Sequence, residues 1–533
     1  MDSVYAFVDG LRLSEGLVEI VRGGLTGLYL LMLLFVAGFG FHRWHLVYLY
    51  YKHRKDRPRC KSRFLTLPRI TVQLPMYNEP YVAQRIIEAC CNFDWPRDRL
   101  QIQVLDDSTD DTRRIAQATV RRMQVAGHDV EYIHRTDRTG YKAGALENAM
   151  KSATGEFIAI FDADFTPQPE ILHQLVHYFT DETVGMVQAR WGHINREHSV
   201  LTQAQSILLD GHFVVEHTAR NRSGRFFNFN GTAGMWRRIC MEDGGGWQHD
   251  TLTEDLDLSY RAQMAGWRLV FLPEVTVPAE LPVEMNAFKT QQMRWTKGGI
   301  QVARKLLPRV LTSHLPWRIK AEAFFHLTGP SAYFYMLALT LLLFPALTIR
   351  FDQMLGNLWY SVLDFSLLWV ASCSASAFYM SSQREVCGRW RDKVKYIPYM
   401  MSLGIGMSLC NSVAFFGGLF GRRSEFVRTP KFGEAAANGQ RWKHHGYHGL
   451  RNLLLPSIEL LLGLYFTVVI FLSFYRRSVV SLPFLIIFQF GYLYVGLMGL
   501  LQRRVGRARA AADETDTIPQ PAPAVHASSA DGA

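Results

Sequence analysis

The stretch GEFIAIFDADFTPQPE, residues 155–170, drives an apolar strand into two aspartates, Asp162 and Asp164, set one residue apart. Outward from it, strand-like apolar runs alternate with helical patterns. RITVQLPMYN (69–78) precedes a helix near 81–92, LQIQVLDDS (100–108) a helix at 110–126, VEYIHR (130–135) a helix at 142–153, and EFIAIFDAD (156–164) a helix at 168–180. That alternation predicts βαβ units and a mainly parallel, Rossmann-like sheet.

In such sheets ligands bind beyond the carboxyl ends of the strands. The polar residues of this segment gather there: Glu79 in PMYNEP after the first strand, Asp106 and Asp107 after the second, RTGYKAGAL (138–146) after the third, and Asp162 and Asp164 after the fourth. A single such acid reads as a helix cap or turn residue. Four strand ends aimed at one crevice read as a site. In extended backbone, residues i and i+2 project to one side, so the two aspartates can face a common point. Paired hard oxygen ligands suit Mg²⁺ or Mn²⁺, which take their remaining ligands from substrate phosphates and water. The implied substrate is a diphosphate. No GxxxxGK followed by Ser or Thr occurs, so a nucleotide sugar fits better than ATP hydrolysis.

The chain has 533 residues, 48% of them hydrophobic, too long for one ordinary core and rich enough in apolar residues to hold membrane spans. Long, predominantly apolar stretches fall at 24–41, 330–349, 357–380, 453–474 and 480–502, each long enough to cross about 30 Å of hydrocarbon. The basic run HRWHLVYLYYKHRKDRPRCKSR (42–63) after the first predicts that residues 51 onward are cytosolic. The stretch at 399–420, rich in Gly, Ser and Met, then reads as an interfacial or re-entrant element, because a crossing would carry the basic segments after it outside. The expected layout is an N-terminal segment and first span over 1–50, a cytosolic domain over 51–325, a membrane region over 326–502 with a cytosolic loop at 421–450, and a disordered cytosolic tail over 503–533. Seven cysteines without paired spacing argue against a disulfide framework or zinc site. The net charge of +11 sits largely beside membrane ends, which points to anionic lipid and not to nucleic acid.

The motif order resembles the membrane-embedded processive glycosyltransferases of family 2, the group of cellulose synthase, hyaluronan synthase, the cellulose-synthase-like mannan and glucan synthases and ceramide glucosyltransferase. Asp107 in LDDSTDDT, DAD at 162–164, TED at 253–255 and QQMRW at 291–295 carry the resemblance, over roughly residues 66–325. It implies a GT-A-type nucleotide-sugar-binding α/β domain inserted in a multi-span helical membrane domain. It also implies roles. Tyr77, Glu79 and Asp107 would hold the nucleoside, Lys142 the phosphate or sugar, and Asp162 and Asp164 the divalent cation, with Asp162 also at the donor. Asp255 would be the general base, with Glu254 beside it toward the acceptor. Gln291 and Arg294 would lie near the diphosphate and Trp295 under the acceptor sugar; Asn230 and Thr232 in FFNFNGTAGMWRR (226–238) would line the acceptor end. FVRTPK (426–431) resembles a gating loop of pattern FxVTxK, which adds Thr429 and Lys431 at the donor, although Arg428 stands where that pattern has Val.

The resulting expectation is an inverting, metal-dependent hexosyltransferase that elongates a β-linked polysaccharide from a cytosolic nucleotide sugar and passes the product through its own spans. UDP-glucose and a β-glucan come first. GDP-mannose with a mannan or glucomannan product, or transfer of one sugar to a lipid, are the alternatives. Transport alone is disfavoured, because the acidic clusters lie in the soluble insert and no internal repeat is detectable.

Overall fold

The computed structural model describes residues 15–354, 358–421, 453–475 and 481–515. Seven strands form one sheet: β1 (Ile70–Met76), β2 (Leu100–Asp106), β3 (Asp129–His134), β4 (Phe157–Ile160), β5 (Val184–His193), β6 (Gly234–Arg237) and β7 (Arg268–Ala279). Their order is β3-β2-β1-β4-β6-β5-β7. The first four pair in parallel, β6 runs antiparallel to β4 and β5, and β7 is parallel to β5. The four expected strands and their intervening helices are all present. The direction of winding reverses between β1 and β4, which opens the crevice where ligands enter such sheets.

The opening stretch is buried as its composition demands, with Phe157 through Phe161 fully enclosed. β1 and β2 alternate polar and apolar residues, a pattern of half-exposed strands. Every residue of both is nevertheless buried. The polar face is satisfied from within: Thr71 Oγ1 donates to Gln101 Oε1 at 2.8 Å, Gln73 Nε2 to Gln103 Oε1 at 3.1 Å, and Gln103 Nε2 to the Ala149 carbonyl at 3.1 Å. This hydrogen-bonded ladder lets the helix Tyr141–Ala149 cover the sheet without stranding polar groups.

Among the described residues, four helices are long and apolar enough to cross a membrane: Glu19–His53, Trp317–Pro345, Leu454–Tyr475 and Leu482–Gln502. The expected span at 330–349 thus begins earlier, at Trp317. The expected span at 357–380 corresponds to the helix Leu358–Val386, whose first side chains lie partly outside the described residues. The stretch at 399–420 is a helix pair, Trp390–Gly406 and Ser408–Leu419, bent by 46°, a shape shared by a broken span and a re-entrant loop. Close packing sets its place: a Cβ on Gly406 would meet the Gly491 carbonyl oxygen, and one on Gly418 would stand 2.7 Å from the Lys297 carbonyl oxygen.

The disordered tail expected from residue 503 is corrected in part. The last helix runs from Leu482 to Thr515, and the segment RARAAA within it is made of strong helix formers. Residues 516–533 lie outside the described residues.

Buried charge ties the membrane helices to the domain. Lys289 and Glu459, on Met285–Thr312 and Leu454–Tyr475, pair at 2.6 Å with both side chains enclosed. His42 and Arg220 meet Glu322 at 3.1 and 2.9 Å.

Candidate active site

The loops leaving β1, β2 and β4 meet at one cleft. Thr232 and Asp106 aside, every described residue singled out from the sequence lines it: Tyr77, Glu79, Asp107, Lys142, Asp162, Asp164, Asn230, Glu254, Asp255, Gln291, Arg294 and Trp295. Asp106 is instead fully buried at the end of β2, accepting from the Ser108 N–H and the Tyr132 hydroxyl. Thr429 and Lys431, with the gating-type loop, lie outside the described residues.

At one end Tyr77 follows β1 and Asp107 follows β2. Their loops are stitched together, the Asn78 N–H donating to Ser108 Oγ at 2.8 Å and the Thr109 N–H to Asn78 Oδ1 at 2.9 Å. Arg135 grips Asp107 in a two-point fork, Nε to Oδ1 at 2.9 Å and Nη2 to Oδ2 at 2.5 Å. This charge-assisted pair fixes the carboxylate plane.

In the middle, Asp162 and Asp164 lie in the turn just beyond β4, not in the strand itself. Lys142 donates to Asp162 Oδ1 at 2.5 Å and to the Gly231 carbonyl at 3.0 Å. Burial alone would lower the Lys142 pKa, but Asp162, Glu254 and Asp255 around it raise it, so it stays a cation. Thr232 is fully buried behind this turn, and its hydroxyl accepts the Asp162 N–H at 2.8 Å. The acceptor contact expected of Thr232 therefore gives way to a supporting position, because its side chain packs inward under Asp162.

Glu254 and Asp255 open the helix Glu254–Met264. Burial, then the neighbouring Glu254, pushes the Asp255 carboxyl up to about 7, while the Leu256 N–H at 2.8 Å opposes the shift. Glu254 is raised as well, chiefly by burial, with Lys142 pulling against it. Two close carboxyls in a poorly solvated cleft cannot both ionise cheaply. A carboxyl poised near neutrality is suited to take a proton.

Gln291, Arg294 and Trp295 share one face of the helix Met285–Thr312, by the three-and-four spacing of a helical turn. Asn230 is held from behind: it donates to His212 Nε2 at 3.0 Å and accepts from His217 Nε2 at 2.6 Å. His212 in turn meets Glu216 Oε2 at 2.9 Å, on a π-helical turn over Gly211–His217. Burial lowers the His217 pKa far below its ordinary value, so this ring is neutral.

Two carboxylates are too few to enclose a metal. Among the described residues no group of three or more His, Cys, Asp or Glu could hold one. Asp162 and Asp164 fit a cation that takes its other ligands from a bound diphosphate, which is how Mg²⁺ is commonly held.

Sequence reasoning left out Arg135, Arg138, Trp191 and His193. Arg138, Trp191 and His193 line the same cleft. Arg138 opens the quoted RTGYKAGAL, and Trp191 and His193 end β5, so the strand-end rule that found Asp162 could have found them once β5 was recognised.

The glycosyltransferase-like family 2 pattern matches residues 68–298. A glucomannan 4-beta-mannosyltransferase of Arabidopsis thaliana is 32% identical over 408 residues, covering 74% of this chain and 68% of that protein. The chain belongs to family 2. Probable glucomannan 4-beta-mannosyltransferases of Oryza sativa subsp. japonica and Arabidopsis thaliana are 40% and 41% identical over 263 and 251 residues. The family 2 chain spans about half the length of these two relatives, 50% and 46%. A solved mannosyltransferase from Pyrobaculum calidifontis, in complex with GDP-Man and Mn²⁺, superposes with a TM-score of 0.48 at 21% identity over 75% of this chain and 100% of that one, too loosely for a functional argument.

Proposed function

We propose that this family 2 protein is an inverting hexosyltransferase that extends a β-linked mannan or glucomannan from GDP-mannose. The observation that carries the chemistry is the Asp255 carboxyl, raised to about 7 and lining the same cleft as Asp162, with the Lys142 cation bonded to Asp162 and acted on by both. The observation that favours mannose is the set of relatives, whose names specify 4-beta-mannosyl transfer to glucomannan. That support reverses the order expected from sequence, which put UDP-glucose and a β-glucan first.

Asp255 takes the proton of an acceptor sugar hydroxyl, and that oxygen forms a bond to the anomeric carbon of the donor. The bond from that carbon to the diphosphate breaks on the opposite face, and the nucleoside diphosphate leaves with the electron pair. No protein nucleophile is needed. Lys142 and Arg294 supply positive charge beside the diphosphate, and Trp295 offers an apolar ring face to the acceptor. A divalent cation held by Asp162 and Asp164 would supply further charge neutralisation at the leaving group. Asp255 releases its proton to solvent once product moves on.

In this reading the catalytic domain is cytosolic and the polymer passes outward between the membrane helices. The supporting observations are the basic run at the end of the first helix and the four apolar helices found among the described residues. The deciding experiment incubates the purified full chain with GDP-mannose, GDP-glucose, UDP-glucose and UDP-GlcNAc plus Mn²⁺ or Mg²⁺, and follows released nucleotide and product length. The reading expects GDP release from GDP-mannose and an alkali-resistant β-mannan. Turnover with UDP-glucose alone, or a single sugar on lipid, overturns it.

A further inference from the structure

At the nucleoside end of the cleft, Arg138 lies flat on Tyr77, its guanidinium carbon 3.3 Å from the ring centroid, with the Tyr141 ring 5.2 Å away. Stacking of this kind fixes the plane of the guanidinium while leaving its N–H edge free to donate. Arg135, three residues earlier, uses its donors up: on both Asp107 oxygens and on the Thr139 and Tyr141 carbonyls. Arg138 does not. Its Nε is enclosed and out of reach of a ligand, and among the described residues neither Nη group forms a hydrogen bond or ion pair, so the Nη1–Nη2 edge is the one left to donate. Yet it lines the same cleft as Tyr77, Glu79 and Asp107.

A planar fork of donors held edge-on matches a planar group with two adjacent acceptors. Guanine has such an edge, O6 beside N7, and an arginine fork is its commonest specific partner. Uracil places a single carbonyl next to a C–H on the corresponding edge and has no adjacent acceptor pair. The phosphate-binding cation at this site is already accounted for by Lys142, which pairs with Asp162. Arg138, in the same lining as Tyr77, Glu79 and Asp107, is thus left for the base in the donor reading given above.

We propose that Arg138, seated on Tyr77, selects guanine over uracil nucleotides at the donor site. The proposal deepens the donor reading given above and rests on it. The stack supplies orientation and the unspent N–H edge supplies the discrimination, so the charge alone is not sufficient.

Titration calorimetry of the full chain in detergent, with GDP and with UDP in Mn²⁺, tests this on the wild type, Arg138→Ala and Arg138→Lys. The wild type should prefer GDP, and both variants should lose about tenfold or more of that preference, mostly through weaker GDP binding, because a bidentate base contact is worth that much. Retained UDP binding serves as the folding control, and Arg138→Lys decides if Arg138→Ala loses its thermal transition. Equal loss of both nucleotides, or of neither, in a protein whose wild type prefers GDP overturns the role of Arg138 and leaves the donor reading standing. A wild type that binds UDP more tightly overturns the donor reading, and the role of Arg138 with it.

Discussion

A Cβ added to Gly231 would stand 3.0 Å from Asp255 Oδ2 and 3.4 Å from Lys142 Nζ, at a backbone φ of +79°. The glycine thus allows the backbone to pass directly beside the proposed base. Gly231→Ala should displace that carboxylate and add about 1 kcal/mol of left-handed strain. Relieving a 3.0 Å contact takes a shift of a few tenths of an ångström, short of the ~1 Å misplacement that costs on the order of 100-fold in rate. Initial-rate kinetics should therefore show kcat reduced by roughly three- to tenfold, while the thermal midpoint moves by only a few degrees.

Asp255 sets the pH dependence. Its carboxyl is raised to about 7, by burial first and Glu254 second, so the proton-accepting form is depleted as pH falls through that value. Turnover should fall about tenfold per pH unit on the acid side. The sign for stability is the opposite: a carboxyl raised in the fold binds its proton more tightly there than in the unfolded chain, so this group favours the fold at lower pH and its stabilising contribution is lost as pH rises through about 7. Asp255→Asn should abolish transfer and leave GDP binding nearly unchanged, read by titration calorimetry and a coupled assay. An active variant removes Asp255 as the base.

The Lys289–Glu459 pair is enclosed on both sides and joins the helix bearing Gln291, Arg294 and Trp295 to a membrane helix. Removing one partner leaves an uncompensated buried charge, which costs about 3–5 kcal/mol. Lys289→Met should lower the thermal midpoint markedly in detergent. The double variant Lys289→Met with Glu459→Leu should recover most of the loss, since two apolar chains of similar size can replace a buried pair. A single variant as stable as the wild type would contradict the pairing.

Chelation tests the carboxylates after β4. With excess EDTA, turnover should stop and return on addition of Mn²⁺ or Mg²⁺. Asp162→Asn and Asp164→Asn should each lower kcat by about two to three orders of magnitude, because a bound cation contributes several kcal/mol at a departing diphosphate. Full turnover in chelator would remove the metal from the proposal.

Much of the site was legible in the chain because parallel sheets place their ligand loops at predictable ends. The order of Asp107, Asp162, Asp164 and Asp255 along the sequence therefore translated into one cleft without knowledge of a single distance. The local patterns also carried β1 to β4 and their helices. Where reading failed, a neighbour outside the local window decided. Thr232 looked like a cleft residue beside Asn230, but the turn it sits in aims it inward at the Asp162 N–H. The tail after residue 502 looked disordered by composition, but helix propensity continues the last helix to Thr515.

The strand ends, the acidic motifs and the apolar segments were readable from the chain alone, because side-chain period and composition are local properties. Which groups meet in the cleft follows from the packing of distant segments. The rise of Asp255 toward neutrality requires burial and Glu254 together, and the clamp on Asn230 requires His212 and His217 from a π-helical turn. Arg138 gained meaning only when Tyr77, sixty-one positions earlier, was found beneath it. Those relationships depend on how distant segments pack, and on the low dielectric that packing creates, which no window of sequence contains.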